Sequence, residues 1–256
     1  MAKNKKKTGV LAFGKIPWSV RFPIRFAHFP YFSQVTSQEK VRRTSDLTIL
    51  DIGCGPGYFA AFCDLPPGSR LFGLDLWRYQ LKQAAARKAY DGLFQVNLVD
   101  GLPFNDQVFD VVICAEVIMY LPDARKMLME INRVLKPDGI SLIHNPIYWF
   151  PRIISRLRNL GKRLYTSKDA VDFSKRNDWG KMMRPSRINF YSANTWLQEV
   201  GAYFQILEVK GFRLFRNRIS LMNRLENYEW YYRLITGLAE RHPFLATERL
   251  IVARKR

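Results

Sequence analysis

Short apolar runs alternate with helix-periodic segments through residues 46–145. Runs rich in Val, Ile, Leu and Phe predict strands at 47–52, 70–75, 93–98, 108–114 and 140–144. Breaker-free or amphipathic segments between them predict helices near 57–63, 76–90 and 122–135, the last ended by Pro137-Asp-Gly139. Strands that alternate with helices at this spacing predict a parallel sheet covered on both faces.

The remainder of the chain is less regular. Segments 203–215 and 246–254 alternate well enough to be a final antiparallel strand pair. Residues 148–164 carry an apolar stripe with arginines and lysines around it, which predicts a basic amphipathic helix. Such a helix can lie on an anionic surface or pack on the domain core, and the pattern leaves both readings open.

The first predicted strand runs into the glycine-rich segment Asp51-Ile-Gly53-Cys54-Gly55-Pro-Gly57. Glycines there let the backbone come close to a ligand. A dinucleotide site uses Gly-x-Gly-x-x-Gly and places a pyrophosphate at the helix N-terminus. Here the glycines recur at every second position, and the acidic Asp51 would repel phosphate. The pattern therefore favours a ligand with an ammonium or sulfonium centre.

A second acidic residue, Asp75, ends the second predicted strand eighteen residues after Gly57. A carboxylate in this position can accept hydrogen bonds from both hydroxyls of a ribose. The alternative is a glycine-rich turn in an unrelated α/β protein. The two features together argue against that alternative more strongly than the glycines alone.

Three further motifs follow in order along the chain: Asp100-Gly-Leu-Pro-Phe104, Phe109-Asp-Val-Val-Ile-Cys114 and Glu130-Ile-Asn-Arg-Val-Leu-Lys-Pro-Asp-Gly139. With the glycine segment and Asp75, they make residues 46–145 resemble the class I S-adenosylmethionine-dependent methyltransferases, in their methyltransferase type 11 branch. A weaker likeness continues in the helix-then-glycine segment from Tyr191 to Gly201.

The resemblance implies an α/β fold with a doubly wound, mostly parallel seven-stranded sheet and helices on both faces. The composition of residues 1–45 predicts a basic, aromatic and proline-containing N-terminal cap. The resemblance implies a methyltransferase domain at 46–256. Within that domain we expect three parts: a cofactor-binding core at 46–145, a helical substrate-side insertion at 146–190, and a C-terminal helix with the closing strands at 191–256.

By the same resemblance the cofactor is S-adenosyl-L-methionine. Its methionine half is expected at the Gly53–Gly57 loop with Asp51 near the amino group, its ribose at Asp75, and its adenine between Leu76 and Trp77. Relatives carry an acid where this chain has Asn97, so the adenine contact is expected from the Asn97 carbonyl or from Asp100. The full set of expected cofactor-binding residues is Asp51, Gly53, Cys54, Gly55, Gly57, Asp75, Leu76, Trp77, Asn97, Leu98, Cys114 and Ala115.

The catalytic candidates are His144, Tyr120 and Glu116, which end or follow the fifth and fourth predicted strands. Relatives usually show histidine at the Tyr120 position, so a base role there does not carry over directly. A strand-end histidine can also be a packing residue. No carboxylate or histidine cluster calls for a metal, and we expect none.

The net charge of +19 is unevenly distributed. Residues 1–45 hold ten Lys/Arg against one acidic residue, and residues 146–256 hold twenty-two against nine, whereas residues 46–145 hold nine against twelve. Basic flanks around an acidic core suggest an anionic membrane surface or a nucleic acid as partner, with simple solubility as the alternative. No signal peptide or apolar spanning segment is evident, so we expect a cytoplasmic protein, peripheral to a membrane in one reading.

The sequence leaves three functions open. The first is a methyltransferase acting on a small-molecule or lipid-like acceptor, at oxygen, by metal-independent in-line displacement. The second is an RNA methyltransferase that uses the basic flanks on phosphates, although no RNA-binding module is recognisable. The third is a non-catalytic adenosyl-binding scaffold, against which the intact Asp51, glycines and Asp75 count.

Overall fold

The computed structural model describes residues 32, 35, 46–63, 65–146, 193–213, 234, 237–243, 246 and 248–256. Apart from Phe32 and Val35, the predicted N-terminal cap lies outside the described residues. The same holds for the predicted amphipathic helix at 148–164 and, apart from Pro146, for the substrate-side insertion.

The described residues contain a seven-stranded sheet. Its strands are β1 (Thr48–Ile52), β2 (Arg70–Asp75), β3 (Gly92–Gln95), β4 (Phe109–Ala115), β5 (Leu135–Pro146), β6 (Phe204–Arg213) and β7 (Glu248–Lys255). Their order across the sheet is β3-β2-β1-β4-β5-β7-β6. Strands β1 to β5 pair in parallel, and β7 runs antiparallel to both β5 and β6. The predicted mostly parallel α/β sheet with an antiparallel close is confirmed.

Four helices whose bounds lie within the described residues accompany the sheet: α1 (Tyr58–Phe62), α2 (Arg78–Ala86), α3 (Ala124–Val134) and α4 (Ala193–Tyr203), with a short 3₁₀ turn at Ile118–Tyr120. Residues 237–241 are helical as well. Helix α3 is amphipathic, and the side chain of Asp123 caps its first turn by accepting from the backbone N–H groups of Arg125 and Lys126.

The central strands are buried on both faces, as expected for a sheet between two helical layers. Alternate residues point to opposite faces. The face we call the α3 face carries Ile52, Val112, Ile143 and Ile251, which pack with Leu128 of α3 and Trp196 of α4. The opposite α1 face carries Ile49, Ile113, Leu142 and Leu250, which pack with Phe59 of α1 and with Phe32.

The chain order along the sheet reverses between β1 and β4. Connections run one way from β1 through β2 to β3 and the other way from β4 to β5, which opens a crevice at the carboxyl ends of β1 and β4. In open α/β sheets, ligands bind at such a switch point. The loops that follow β1, β2 and β4 are therefore the place to look for a site.

Strand β3 is shorter than predicted, since it ends at Gln95 and not at Leu98. The Asn97 side-chain oxygen accepts from the Val99 N–H at 3.3 Å, and the Asp100 N–H donates to the Asn97 carbonyl at 3.0 Å. Asparagine favours such local turns over a continued ladder, and this ends the strand.

The junction between α3 and β5 also differs from the prediction. Pro137-Asp-Gly139 does not end the helix, because Leu135 already lies in β5 and pairs with Phe109. The pairing of β4 with β5 then shifts before Val111 meets Ile140. The predicted fifth strand at 140–144 is therefore only the regular second part of a longer one.

The remaining differences are at element ends. Helix α2 covers Arg78–Ala86 only, because the chain turns at Lys88 with a left-handed φ of 54°. Gly201 lies inside α4, where the sequence predicted a glycine after the helix. The second strand lies at 70–75 as predicted, and the other strand boundaries shift by at most two residues, within the usual fraying of assignments.

Candidate cofactor and active site

The glycine loop after β1 adopts a backbone that favours glycine. Gly53, Gly55 and Gly57 have φ angles of 68°, 54° and 78°, all in the left-handed region. A Cβ on Gly53 would collide with the Val117 side chain, whereas a Cβ on Gly55 would meet no atom within 4 Å. Gly53 is therefore fixed by packing against the loop after β4, while Gly55 presents its backbone to open space.

Asp75 at the end of β2 ties this loop to the next one. One carboxylate oxygen accepts from the Gly55 N–H at 2.9 Å, and the other accepts from the Trp77 N–H at 2.8 Å. Burial raises the pKa of Asp75, and these backbone N–H groups partly counteract the shift. Each carboxylate oxygen has a second lone pair. Asp75 can thus hold both loops and still accept hydroxyl donors from a ligand.

Asp51 lies in the β1 ladder beside Gly73 of β2 and Ile113 of β4, and it is 3% exposed. The Tyr90 hydroxyl donates to its Oδ2 at 2.7 Å. Burial raises the pKa of Asp51 to about 7, with a smaller contribution from the charge of Asp75; the Tyr90 bond opposes the shift. A carboxyl group that titrates near neutrality responds strongly to a cationic ligand placed beside it.

This shift predicts a pH dependence of stability. The folded-state pKa of Asp51 lies above its ordinary value of 3.8, so the folded state binds the extra proton between pH 3.8 and about 7. The contribution of this proton to the free energy of unfolding is fully present below the ordinary pKa. It is lost as the pH rises through about 7, by at most about 1.4 kcal/mol per pH unit. Urea unfolding from pH 4 to 8 should show wild type losing stability relative to Asp51→Asn.

The matched control for this prediction is Asp91→Asn, because the Asp91 carboxylate is exposed at the other end of β2, where it accepts from the Leu71 N–H. Its pH profile should follow that of the wild-type protein. Parallel profiles for wild type and Asp51→Asn would contradict a raised pKa at Asp51.

The other residues predicted to bind cofactor fall into three places. Cys54, Leu76 and Trp77 lie in the loops that Asp75 joins, and the Cys54 N–H donates to the Leu74 carbonyl at 2.8 Å. Cys114 and Ala115 end β4 beside Ile52, although the Cys114 side chain is packed in the core. Asn97 and Leu98 lie beyond the end of β3.

Asn97 does not match its expected role directly. Its side-chain oxygen, predicted to accept from an adenine amine, already accepts from the Val99 N–H. That oxygen retains a second lone pair, so an adenine contact stays a prediction. Asp100, the other candidate, is exposed and donates its backbone N–H to the Asn97 carbonyl.

The three catalytic candidates lie at or just after the carboxyl ends of β4 and β5. The Glu116 N–H donates to the His144 carbonyl at 2.9 Å, and Glu116 has a left-handed φ of 58°. Tyr120 lies in the 3₁₀ turn that follows, half-buried. The His144 side chain is 1% exposed, and its Nε2 lies 3.9 Å from the Glu248 Oε2.

Sequence reasoning missed three polar contributors to this edge. Tyr90 lies 39 positions from Asp51, and only the end of α2 hints at its return to the sheet. Glu248 and Arg249 open β7, which enters the carboxyl edge because it runs antiparallel to β5. The one available signal was the pair of charges at the start of an apolar strand, where a buried charge is unusual.

Two features are absent from the part of the chain that the structure describes. No group of three or more His, Cys, Asp or Glu side chains there is arranged to hold a metal ion. No helix there has the length and apolar character needed to span a membrane.

Comparison with known proteins gives evidence that is independent of the geometry of the site. A family model described as a methyltransferase domain matches residues 50–143. The "Probable methyltransferase" of Aspergillus luteorubrus is 35% identical over 41% of this chain and 42% of its own length. The ubiquinone biosynthesis O-methyltransferase of Rickettsia prowazekii is 29% identical over 72% of this chain and 70% of its own length. The solved YcgJ protein of Bacillus subtilis superposes with a TM-score of 0.54 at 18% identity, covering 90% of this chain and 98% of that one.

The strand order, the glycine loop and the family model that matches residues 50–143 support a class I S-adenosylmethionine-dependent methyltransferase domain in this part of the chain. The matched domain, residues 50–143, is accordingly a methyltransferase domain that implies S-adenosylmethionine as its cofactor. The residues present suit that cofactor: the open space at Gly55 admits a ligand, and Asp75 has acceptor capacity for ribose hydroxyls. The buried Asp51 carboxylate suits a cationic amino acid end.

Proposed function

We propose that this methyltransferase acts on oxygen in a small-molecule or lipid-like acceptor by metal-independent in-line displacement. Bound S-adenosylmethionine supplies a methyl carbon activated by positive sulfur. The protein then has mainly to hold the acceptor in line and exclude water. The glycine loop, Asp51 and Asp75 would hold the cofactor, and the carboxyl ends of β4 and β5 would receive the acceptor.

The observation that carries the proposal is the environment of His144. Its imidazole lies on the α1 face, as Asp51 does. Asp51 pairs with Ile113 of β4, Ile113 pairs with Leu142 of β5, and His144 is two residues after Leu142 on the same face. Two strand spacings, roughly 10 Å, separate β1 from β5. His144 is therefore at the acceptor end of the same face that carries the cofactor-side carboxylate.

A shielded imidazole with a nearby carboxylate suits the deprotonation of a hydroxyl group. His144 would accept the acceptor's proton, and Glu248 at 3.9 Å would stabilise the imidazolium that forms. The T-shaped contact between the His144 and Phe212 rings, with centroids 6.2 Å apart, restrains the imidazole. Base catalysis of this kind matters for an alcohol or phenol, which attacks poorly while it keeps its proton.

The curated relative with the broadest overlap described above gives separate support. That relative is an O-methyltransferase of ubiquinone biosynthesis. At 29% identity its acceptor does not transfer to this chain, but methyl transfer to oxygen is consistent with the proposal.

The acceptor class is tested with labelled cofactor. Purified protein and methyl-labelled S-adenosylmethionine are incubated with a lysate that is then separated into lipid, small-molecule and RNA fractions. The proposal predicts label in the lipid or small-molecule fraction, in a base-stable ether. Label confined to RNA would overturn the proposal and favour the RNA methyltransferase reading of the basic flanks.

His144→Gln should reduce the labelling rate of that fraction by about 10²- to 10⁴-fold, the usual contribution of a general base. Calorimetric affinity for S-adenosylmethionine should stay unchanged, because His144 lies two strands from Asp51. His242→Gln, at an exposed position, is the matched control and should keep wild-type activity. Undiminished labelling by His144→Gln would remove the base role from His144.

A further inference from the structure

The His144–Glu248 pair lies on the α1 face at the carboxyl ends of the parallel strands. A second polar pair lies at the same edge of the sheet but on the α3 face. Asn145 of β5 lies directly opposite Arg249 of β7. Asn145 is two residues after Ile143, and Arg249 is two residues before Ile251, so both side chains point to the α3 face. Asn145 is 0% exposed and Arg249 is 2% exposed.

Neither side chain is satisfied within the part of the chain that the structure describes. Both polar atoms of the Asn145 amide, and Nε and Nη2 of Arg249, are buried and have no hydrogen-bond partner there. Glu248, the adjacent acid, cannot compensate Arg249, because strand alternation directs its carboxylate to the other face, toward His144. Desolvation lowers the pKa of Arg249, although a guanidinium stays charged in proteins.

An uncompensated buried guanidinium is expensive, at several kcal/mol per ion. Burial without a counter-charge is therefore unusual unless the group serves a ligand. Asn145 adds two N–H donors beside it, since directly opposed residues in an antiparallel pair have Cβ atoms roughly 5 Å apart. A planar guanidinium fork next to an amide matches the oxygens of a carboxylate or phosphate.

We propose that Arg249 and Asn145 form a binding site for an anionic group, a carboxylate or a phosphate, on the methyl acceptor. Asn145 lies one strand spacing from β4, roughly 5 Å, and Arg249 lies two, roughly 10 Å. The pair therefore fits an acceptor that carries its charge several bonds from the methylated oxygen. This inference rests on the proposed function, because it identifies a recognition group on the acceptor of that same site.

The test uses the full-length protein with saturating S-adenosylhomocysteine and two probes, inorganic phosphate and benzoate. Thermal unfolding is followed at constant ionic strength, with chloride as the reference anion. At least one probe should raise the Tm of wild type in a saturable manner. Arg249→Met should weaken the affinity for that probe at least tenfold. A stronger response to phosphate indicates a phosphorylated acceptor, and a stronger response to benzoate indicates a carboxylic acid.

The probe-free Tm separates a binding role from a structural one. If Arg249 serves to bind a ligand, Arg249→Met without probe should unfold at the same temperature as wild type or higher, because a buried unpaired charge is removed. Asn145→Ala gives a second variant, which should weaken the probe response without abolishing it. Arg254→Met is the matched control: it removes an arginine from the opposite end of β7, and its probe response should equal that of wild type.

The inference is overturned if neither probe stabilises wild type beyond chloride, or if Arg249→Met keeps the wild-type response. A lower probe-free Tm in Arg249→Met with no anion response in wild type would identify Arg249 as a structural cation. These outcomes are separate from the labelling result, because label found only in RNA refutes the proposed acceptor class even where a probe binds at Arg249.

Discussion

An Asp75→Ala variant is expected to bind S-adenosylmethionine at least tenfold more weakly than wild type. The carboxylate holds the Gly55 and Trp77 N–H groups, which belong to the two loops that form the cofactor cradle. It is also the predicted acceptor for the ribose hydroxyls. A hydrogen bond to a charged group is worth about 1.5–3 kcal/mol, so losing even one accounts for a tenfold change. Calorimetric titration of both proteins measures the difference directly.

Asp91→Ala is the matched control for Asp75→Ala. Its carboxylate also accepts from a backbone N–H of β2, at Leu71, but it lies at the opposite end of the strand. It should lose some stability and keep wild-type cofactor affinity. Asp75→Asn, which keeps one acceptor oxygen, should fall between wild type and Asp75→Ala. Equal affinities for wild type and Asp75→Ala would show that Asp75 has no role in the cradle.

The second large effect is expected for Gly53→Ala, which should destabilise the fold by about 2–5 kcal/mol. A left-handed backbone costs a non-glycine residue roughly 1–2 kcal/mol, and overpacking adds about 1–3 kcal/mol. The overpacking arises because the new Cβ would occupy the position of the Val117 side chain. Urea unfolding, with the slope held constant between variants, gives the free energy difference.

Gly55→Ala separates the two contributions. Its φ of 54° also lies in the left-handed region, but its Cβ would meet no atom within 4 Å. It should therefore lose only the conformational part, about 1–2 kcal/mol. In a Val117→Ala background, Gly53→Ala should cost no more than Gly55→Ala, because the colliding methyl groups are gone. A full penalty in that background would place the strain elsewhere.

Much of the fold follows from local pattern. The apolar runs of β1, β2 and β4 and the amphipathic stripe of α3 predict their elements to within about two residues, because burial on fixed faces sets their periodicity. The glycine loop could be recognised because left-handed backbone at Gly53, Gly55 and Gly57 has a compositional signature. Asp75 could be recognised because it ends a strand next to that loop.

Other parts of the site depend on contacts between distant segments. No local pattern shows that Tyr90 donates to Asp51, or that β7 brings Glu248 and Arg249 beside His144 and Asn145. The predicted end of β3 is wrong because the Asn97 side chain accepts a local hydrogen bond and the strand ladder stops. The predicted start of β5 is wrong because Leu135 already pairs with Phe109 of β4. Both errors arise where a single side-chain or backbone bond outweighs propensity.

Calorimetric titration of the wild-type protein with S-adenosylmethionine and, separately, with NAD tests the central claim most directly. Asp51 in β1 is a buried carboxylate beside the glycine loop, where a dinucleotide would need its pyrophosphate, so we expect saturable binding of S-adenosylmethionine and none of NAD. Saturable binding of NAD by a folded sample that does not bind S-adenosylmethionine would contradict the account.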